Sequence, residues 1–215
     1  MNYKMAIFDL DGTVLDTYEG IKEAVKHTID HFELDNLSET DIRSFVGPPL
    51  EQSFRRFYNI SEDTAKMYTA EFRKYYADRS ILIASVYDGI PQLFSGLIEK
   101  NIAIAIATSK CQTFADRLVE YFNLDEWIHI CCGSDPGKRM DKNEIIRHCV
   151  CESNIKDKEN VVMIGDTQYD AKGALKAGVK FIGVTYGFGF KTREDVNKFQ
   201  NIGYINNPVE LLDLV

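Results

Sequence analysis

The chain has 215 residues, of which 45% are hydrophobic, so it can bury a sizeable core. This length suits one domain with a large insertion or two modest domains. The formal net charge is −8, and the sequence contains no long basic run that could follow a nucleic-acid backbone. We therefore expect a soluble globular protein that does not bind nucleic acid.

The apolar segments do not indicate a membrane protein. The apolar stretch that begins at Met5 is interrupted by Asp9, which leaves no core of signal-peptide length. No later apolar run reaches the roughly 18 residues that a spanning helix needs. We therefore expect no membrane association and a cytoplasmic location.

The five cysteines indicate neither disulfides nor a zinc centre. Their number is odd, and the chain is too large to depend on disulfide cross-links. Two clusters combine cysteine with histidine, around Cys131 and around Cys149, but neither has the C-x-x-C spacing that chelates zinc within one turn. We expect reduced thiols that behave as small buried hydrophobic residues.

Four apolar runs predict strands that are buried on both faces of a sheet, because apolar residues occupy both alternate positions. In chain order they are Lys4–Phe8, Ile102–Ala107, Val161–Ile164 and Lys180–Val184, and a shorter strand is expected at Ile128–Cys132. Helical patterns separate these runs, which is typical of parallel βα units. The sequence thus predicts an α/β fold with a doubly wound, Rossmann-like parallel sheet.

The segment between the first and second of these strands has the pattern of amphipathic helices. Ile21, Val25 and Ile29 fall on one helical face, and charged residues fall on the other. Ser38 and Ser61 each precede a helical pattern at the position of an N-cap. We predict a helical subdomain over residues 17–84, inserted into a core formed by residues 1–16 and 85–215.

Two carboxylates follow the first strand. Asp9 and Asp11 lie on the same side of an extended backbone, because the residue between them faces away, and Gly12 permits a sharp turn. A strand end can present such a side chain as a nucleophile or a metal ligand. A calcium loop does not fit, because it would place Ile7 and Tyr18 at positions that require carboxylates. This pair is therefore a candidate catalytic site.

A second pair of carboxylates follows a later strand. Asp166 comes directly after an apolar run, and Asp170 lies one turn along the helix that begins there. Taken alone, this pair is equally well explained as an acidic helix start. Two acidic clusters at the carboxyl ends of parallel strands instead predict a joint site, and oxygen ligands of this kind suit Mg²⁺.

Polar residues follow the other strands as well. Thr108 and Ser109 end the run at Ile102–Ala107, where hydroxyl and backbone N–H groups are natural donors to phosphate oxygens. Lys142 begins a predicted helix, although any single lysine is more often a solvated surface charge.

The combined motifs resemble those of a known superfamily. They are Asp9-x-Asp11-Gly12-Thr13, Thr108-Ser109, Lys142 and Gly165-Asp166-x-x-x-Asp170. In this order they closely resemble the four motifs of the haloacid dehalogenase-like (HAD) hydrolases, and the similarity spans nearly the whole chain. The helical insertion resembles the alpha-helical cap of that superfamily. The segments GVTYGFG, DGTVLDT and VGPPL further resemble the phosphoglycolate phosphatase-like branch.

The resemblance implies a Mg²⁺-dependent phosphatase with an aspartyl-phosphate intermediate. Asp9 would attack phosphorus, and Asp11 would protonate the leaving oxygen and later activate water. Asp9, the backbone carbonyl of Asp11 and Asp166 would bind Mg²⁺, and Asp170 would be a supporting or alternative acidic ligand.

The resemblance also implies a phosphate-binding set. Thr108 and the backbone N–H of Ser109 would hold phosphoryl oxygens, and Lys142 would neutralise them. Lys138 and Arg139 lie close in sequence and are alternative sources of that positive charge. We expect a small phosphorylated metabolite as the substrate, because a closing cap leaves little room for a polymer, and we expect a monomer or a homodimer.

Two other functions share much of this chemistry. A phosphosugar mutase of the β-phosphoglucomutase type would use the same aspartates, but such enzymes tend to carry a smaller residue at the position of Thr13. A non-hydrolytic phospho-acceptor resembling a signalling receiver would also need an aspartate, a hydroxyl residue and a lysine. Receivers have no helical insertion after the first strand, so the sequence favours hydrolysis.

Overall fold

A computed structural model describes residues 3–135 and 141–215. It divides into two compact units. The core unit comprises Met1–Asp16 and Val86–Val215, and the helical unit comprises Thr17–Ser85. That the helical unit acts as a cap is still a prediction.

The strands belong mainly to the core unit. They are β1 (Met5–Phe8), β2 (Leu15–Asp16), β3 (Ser85–Val86), β4 (Ala103–Cys111), β5 (Ile128–Ser134), β6 (Val161–Gly165), β7 (Lys180–Val184) and β8 (Gly203–Ile205). The short strands β2 and β3 lie where the chain passes from one unit to the other.

The helices follow the predicted alternation. They are α1 (Tyr18–His31), α2 (Glu39–Arg43), α3 (Leu50–Tyr58), α4 (Glu62–Tyr75), α5 (Ile90–Glu99), α6 (Gln112–Tyr121), α7 (Lys142–Glu152), α8 (Gln168–Ala177) and α9 (Arg193–Val196). A π-helical turn at Tyr76–Ser80 follows α4, and short 3₁₀ segments occur at Lys158–Asn160 and Pro208–Asp213.

The main sheet has six parallel strands in the order β5-β4-β1-β6-β7-β8. The prediction of a doubly wound parallel sheet is confirmed. Phe8 of β1 pairs with Ile106 of β4 and with Ile164 of β6, so these strands end at the same edge of the sheet. The strand order reverses at β1, and open α/β sheets bind their ligands at such a switch point.

The sheet is buried on both faces, as the apolar runs predicted. Every residue of β1 and β6 is buried. Helices α7 and α8 contribute Ile146, Cys149 and Ala171 to a hydrophobic cluster that includes Met5 and Met163 of the sheet. This packing fixes the first turns of α7 and α8 relative to the strand ends.

The helical unit has its own apolar core. Helix α1 buries Ile21, Val25 and Ile29, as its periodicity predicted. Ser38 and Ser61 accept hydrogen bonds from backbone N–H groups at the starts of α2 and α4, so both predicted N-caps are confirmed.

Three local predictions differ from the structure. Strand β4 continues to Cys111 with an irregularity after Ala107, so Thr108 lies within its distorted end rather than after it. Strand β8 was not predicted, because it is short and lies at the sheet edge. Contrary to expectation, three cysteines are not buried. Cys111 lies at the end of β4, Cys131 on the outer strand β5 and Cys151 on the exposed face of α7.

In the described ranges 3–135 and 141–215, no helix has the length and apolar composition needed to cross a membrane.

Candidate active site

Asp9 and Lys142 form a buried ion pair at the end of β1. Asp9 directly follows the strand and is 6% exposed, and its Oδ1 accepts a hydrogen bond of 2.7 Å from the Leu10 N–H. Lys142 is the first residue of α7 and is also buried, with its Nζ 2.8 Å from Asp9 Oδ1. The structure thus places a predicted nucleophile beside a predicted phosphate-neutralising lysine.

Asp170 connects this pair to α8. Its Oδ2 accepts hydrogen bonds from the N–H and the hydroxyl of Thr167, the N-cap of α8, at 2.9 and 2.7 Å. Its Oδ1 lies 2.8 Å from Lys142 Nζ, close enough for an ion pair but without hydrogen-bond alignment. Asp170 is fully buried. One carboxylate therefore caps a helix and also fixes the lysine.

Asp166 is enclosed by a glycine-rich loop after β7. Its Oδ2 accepts hydrogen bonds from the backbone N–H groups of Phe188 and Gly189, at 2.7 and 3.0 Å. Gly187 allows this approach, since a Cβ there would lie 2.2 Å from the Gly12 carbonyl oxygen. Gly12 itself has a φ of 81°, which favours glycine. The turn after β1 and this loop therefore meet at Asp166.

The buried carboxylates carry perturbed acidities. Burial raises the pKa of Asp9 well above its usual value, with Asp170 and Asp166 adding to the effect and Lys142 opposing it. Burial and Asp170 raise the pKa of Asp166 to about 7, against the two backbone donors. Burial alone would lower the pKa of Lys142, but Asp170 and Asp9 raise it above its ordinary range. Crowded, buried carboxylates of this kind are typical of functional sites.

Asp11 is paired with a lysine that the sequence analysis did not identify. Lys110 Nζ lies 3.3 Å from Asp11 Oδ1, and the two side chains are only 7% and 13% exposed. Lys110 follows Thr108 and Ser109 in the sequence. The end of β4 therefore supplies a second positive charge to the site.

Thr108 and Ser109 are placed differently from each other. Thr108 is buried, and its Oγ1 accepts a hydrogen bond of 3.2 Å from the Lys110 N–H. Ser109 is exposed, and its carbonyl oxygen accepts a hydrogen bond from the Ser134 hydroxyl. Both residues follow Ile106, which pairs with Phe8 directly before Asp9. Their backbone thus lies at the same edge of the sheet as the aspartates.

A divalent cation fits this arrangement. Carboxylate oxygens of Asp9, Asp166 and Asp170 lie within 4.8 Å of one another, and all three residues are buried. Lys142 is the only cation paired with Asp9 and Asp170 among the ion pairs of the described residues. Three buried carboxylates with one ammonium leave an excess of negative charge, and hard oxygen donors of this type suit Mg²⁺. The Asp11 side chain is not part of this group. The resemblance assigns only the backbone carbonyl of Asp11 to Mg²⁺.

The sequence-predicted set and the structural set overlap but are not identical. Lys138 and Arg139, the alternatives to Lys142, lie outside the described residues. Lys110 and the N–H groups of Phe188 and Gly189 were missed as site components. The only available signals were the lysine directly after Thr108-Ser109 and the two glycines, Gly187 and Gly189, of the loop after β7.

Comparisons with known proteins identify the family of the chain. The model of the haloacid dehalogenase-like hydrolase family matches residues 6–184. A 5'-nucleotidase of Pseudomonas aeruginosa is 34% identical over 190 residues, covering 88% of this chain and 86% of the relative. Tyrosine-protein kinase PtkA of Mycobacterium tuberculosis is 30% identical over 86% of this chain, which spans only 63% of that protein.

Solved structures show the same relationship. A predicted phosphatase from Clostridium acetobutylicum matches with a TM-score of 0.92 and 36% identity, over 100% of this chain and 98% of that one. More distant relatives include proteins named pyrophosphatase and phosphoglycolate phosphatase. The family match, the sheet order and the acidic strand ends lead to one conclusion: the chain is an enzyme of the haloacid dehalogenase-like hydrolase family.

Proposed function

We propose that this protein is a Mg²⁺-dependent phosphatase that hydrolyses a small phosphomonoester through an aspartyl-phosphate on Asp9. The observation that carries the proposal is the position of Asp9. It is a buried carboxylate at a strand end, 2.8 Å from Lys142 and clustered with Asp166 and Asp170.

Asp9, Asp166 and the backbone carbonyl of Asp11 would hold the Mg²⁺ ion, with Asp170 as a supporting partner. When bound, the ion supplies positive charge that offsets the repulsion between a phosphate dianion and Asp9. Asp170 is the least available ligand, because one oxygen caps α8 and the other lies beside Lys142.

The chemical steps use two aspartates in different roles. A carboxylate oxygen of Asp9 attacks phosphorus, the ester P–O bond breaks, and Asp11 gives a proton to the leaving oxygen. Asp11 then accepts a proton from water as the water oxygen attacks the aspartyl-phosphate. Phosphate leaves, and Asp9 is regenerated. The 3.3 Å ion pair with Lys110 orients the Asp11 carboxylate.

The remaining polar residues bind the phosphoryl group. Lys142 would neutralise its oxygens, and Thr108 and the Ser109 N–H would hold them in line with Asp9. The position of these residues at the carboxyl edge of the sheet supports this assignment.

We propose a small phosphorylated metabolite as the substrate, on the basis of the relatives' names and of the helical unit resembling a cap. The relatives act, by their names, on nucleotides, pyrophosphate and phosphoglycolate. A suitable panel therefore contains nucleoside monophosphates, phosphoglycolate, pyrophosphate and hexose phosphates. A phosphosugar mutase is the alternative, and Thr13 disfavours it.

The test is hydrolysis of p-nitrophenyl phosphate by the purified protein, with Mg²⁺ and with EDTA, in the wild type and in Asp9→Asn. We expect turnover that requires Mg²⁺ and is abolished by the substitution, because an amide cannot form the aspartyl-phosphate. Asp125→Asn makes the same change at an exposed residue and should keep full activity.

Substrate-panel results separate the two candidate enzymes. Release of inorganic phosphate from a panel member supports the phosphatase. Interconversion of hexose phosphates without phosphate release would establish the mutase instead. Full activity of Asp9→Asn would refute the proposed nucleophile.

A further inference from the structure

Two histidines and a glutamate meet on the surface of the helical unit, in a cluster with no part in the proposed phosphatase chemistry. His27 and His31 lie one turn apart on the same face of α1, with ring centroids 5.8 Å apart. Glu71 projects from α4, and its Oε1 lies 2.9 Å from His27 Nε2. One ligand atom from each of the three residues lies within 4.8 Å of the others.

The cluster is accessible and partly ordered by its neighbours. The His27 side chain is 33% exposed and that of Glu71 is 19% exposed, and His31 is exposed. The His27 ring stacks on Tyr75, with a centroid distance of 4.1 Å and an interplanar angle of 15°, which fixes its orientation. An ion could therefore enter from solvent and find one imidazole already oriented.

The charges favour a cation at this position. The hydrogen bond with His27 lowers the pKa of the Glu71 carboxyl, so that it is ionised at neutral pH. Lys74 also lowers this pKa, and its own positive charge partly opposes a bound cation. Histidine binds metal ions through an uncharged ring nitrogen, so the Glu71 carboxylate gives the metal-binding set a negative charge.

The geometry matches what zinc requires. Zn²⁺ binds imidazole nitrogen and carboxylate oxygen in tetrahedral sites whose neighbouring ligand atoms lie about 3.3 Å apart. The His27 and Glu71 atoms are already at 2.9 Å, and the third ligand needs only a side-chain rotation within the 4.8 Å cluster. Two histidines four residues apart on a helix are a recurrent zinc pair.

We propose that His27, His31 and Glu71 bind one Zn²⁺ ion, or a similar late transition-metal ion, and so join α1 to α4. Water would complete the coordination sphere. The ion would take the place of the hydrogen bond between His27 Nε2 and Glu71 Oε1. Nitrogen donors select such metals over Mg²⁺, so this site and the core carboxylate cluster take different ions.

The test is a calorimetric zinc titration of the protein without a histidine tag, in the Asp166→Asn background, which weakens competition from the core carboxylates. We expect one saturable zinc site and a higher melting temperature. His31→Gln should remove that site and leave the fold intact, because His31 is exposed. Glu71→Gln should also remove the zinc site and leave the fold intact, because it changes the ligand on α4.

His148→Gln is the matched control, because His148 is also exposed and lies 4.0 Å from a glutamate one turn away, Glu152. It should leave zinc binding unchanged. Loss of the site in His148→Gln, or its retention in both His31→Gln and Glu71→Gln, would overturn the proposal. Binding of Co²⁺ gives a further readout, since a thiolate-to-cobalt absorption band would assign the metal to cysteine and equally refute it.

Discussion

Lys110 lies at the end of β4 and pairs with Asp11, the proposed acid and base. The two charged atoms are 3.3 Å apart, and both side chains are largely shielded from water. In that setting the ion pair is stronger than on the surface, and it holds the carboxylate in one orientation. We therefore expect Lys110 to position Asp11 for the proposed proton transfer.

We expect Lys110→Met to lower kcat for p-nitrophenyl phosphate roughly tenfold or more, with a smaller effect on KM, because misplaced general acids lose part of their 10²–10⁴-fold contribution. Steady-state kinetics at several pH values would measure this. Lys156→Met changes an exposed lysine and should have no effect. Equal kinetics for the two variants would contradict the role of Lys110.

Asp166 makes the stability of the metal-free protein depend on pH. Its pKa is raised to about 7 by burial and by Asp170, whereas an unfolded aspartate has a pKa of about 3.9. The folded state therefore binds a proton more tightly than the unfolded state, which favours folding at low pH. This contribution is lost as the pH rises from about 4 to about 7.

In EDTA, we expect the melting temperature of the wild type to fall between pH 5 and pH 8. Asp166→Asn should show a flatter profile, because its amide does not titrate. Differential scanning calorimetry at several pH values would measure the effect. Parallel profiles for the two proteins would show that Asp166 ionises normally.

Helices α7 and α8 together present the charged centre of the site. Lys142 begins α7, and Asp170 lies in the first turn of α8, where it also caps that helix through Thr167. Both helices start at the carboxyl edge of the sheet, so helix caps and site residues are the same groups. A helix start is suited to this because its free N–H groups need acceptors.

Helix α1 has a tight contact within the helical unit at Gly20. A Cβ added there would lie 2.3 Å from the Ser80 carbonyl oxygen, and the Gly20 carbonyl accepts a hydrogen bond of 2.8 Å from the Ser80 hydroxyl. Backbone cannot move aside as a flexible side chain would.

We expect Gly20→Ala to destabilise the protein by about 1–3 kcal/mol, as is typical of overpacking, although alanine is the better helix former. Glu23→Ala introduces the same residue at an exposed position of α1 and should be close to neutral. Urea unfolding would compare them. A stabilised Gly20→Ala variant would show that helix propensity outweighs the contact.

At the scale of the whole molecule, the net charge is strongly negative, and part of the negative charge lies in one buried cluster. The net charge is −8, and three of the carboxylates are buried together in the core unit. A cation that binds only the folded protein must stabilise it through mass action.

We expect Mg²⁺ at about 100 times its Kd to add about 2.7 kcal/mol, which corresponds to a rise in Tm of about 5–10 °C for a chain of this size. EDTA should reverse the rise. Asp166→Asn should abolish it, whereas Asp125→Asn should retain it. Thermal unfolding followed by circular dichroism would measure these shifts. An unchanged Tm in the wild type would argue against magnesium at this cluster.

Much of the fold could be predicted because its signals are local. Runs such as Val161–Ile164 are apolar on both alternate positions, which identifies central strands of a covered sheet. Asp9 and Asp166 directly follow two such strands, and parallel strands end at one edge, so their proximity also followed from the sequence. The edge strand β8 lacked this signal, because it is only three residues long and partly exposed.

Tertiary structure decided which partners complete each site. The Phe188 N–H reaches Asp166 across 22 residues, and Glu71 reaches His27 across 44, through loop closure and helix packing that no local pattern specifies. Lys110 likewise looks like an ordinary lysine until β4 is placed beside β1, whereas the motif resemblance had already identified Lys142. The sequence by itself therefore determined the positions of the central strands along the chain and the acidic residues at their ends, since burial and backbone direction act locally. The ion pairs and hydrogen bonds around those residues depended on the packing of distant segments.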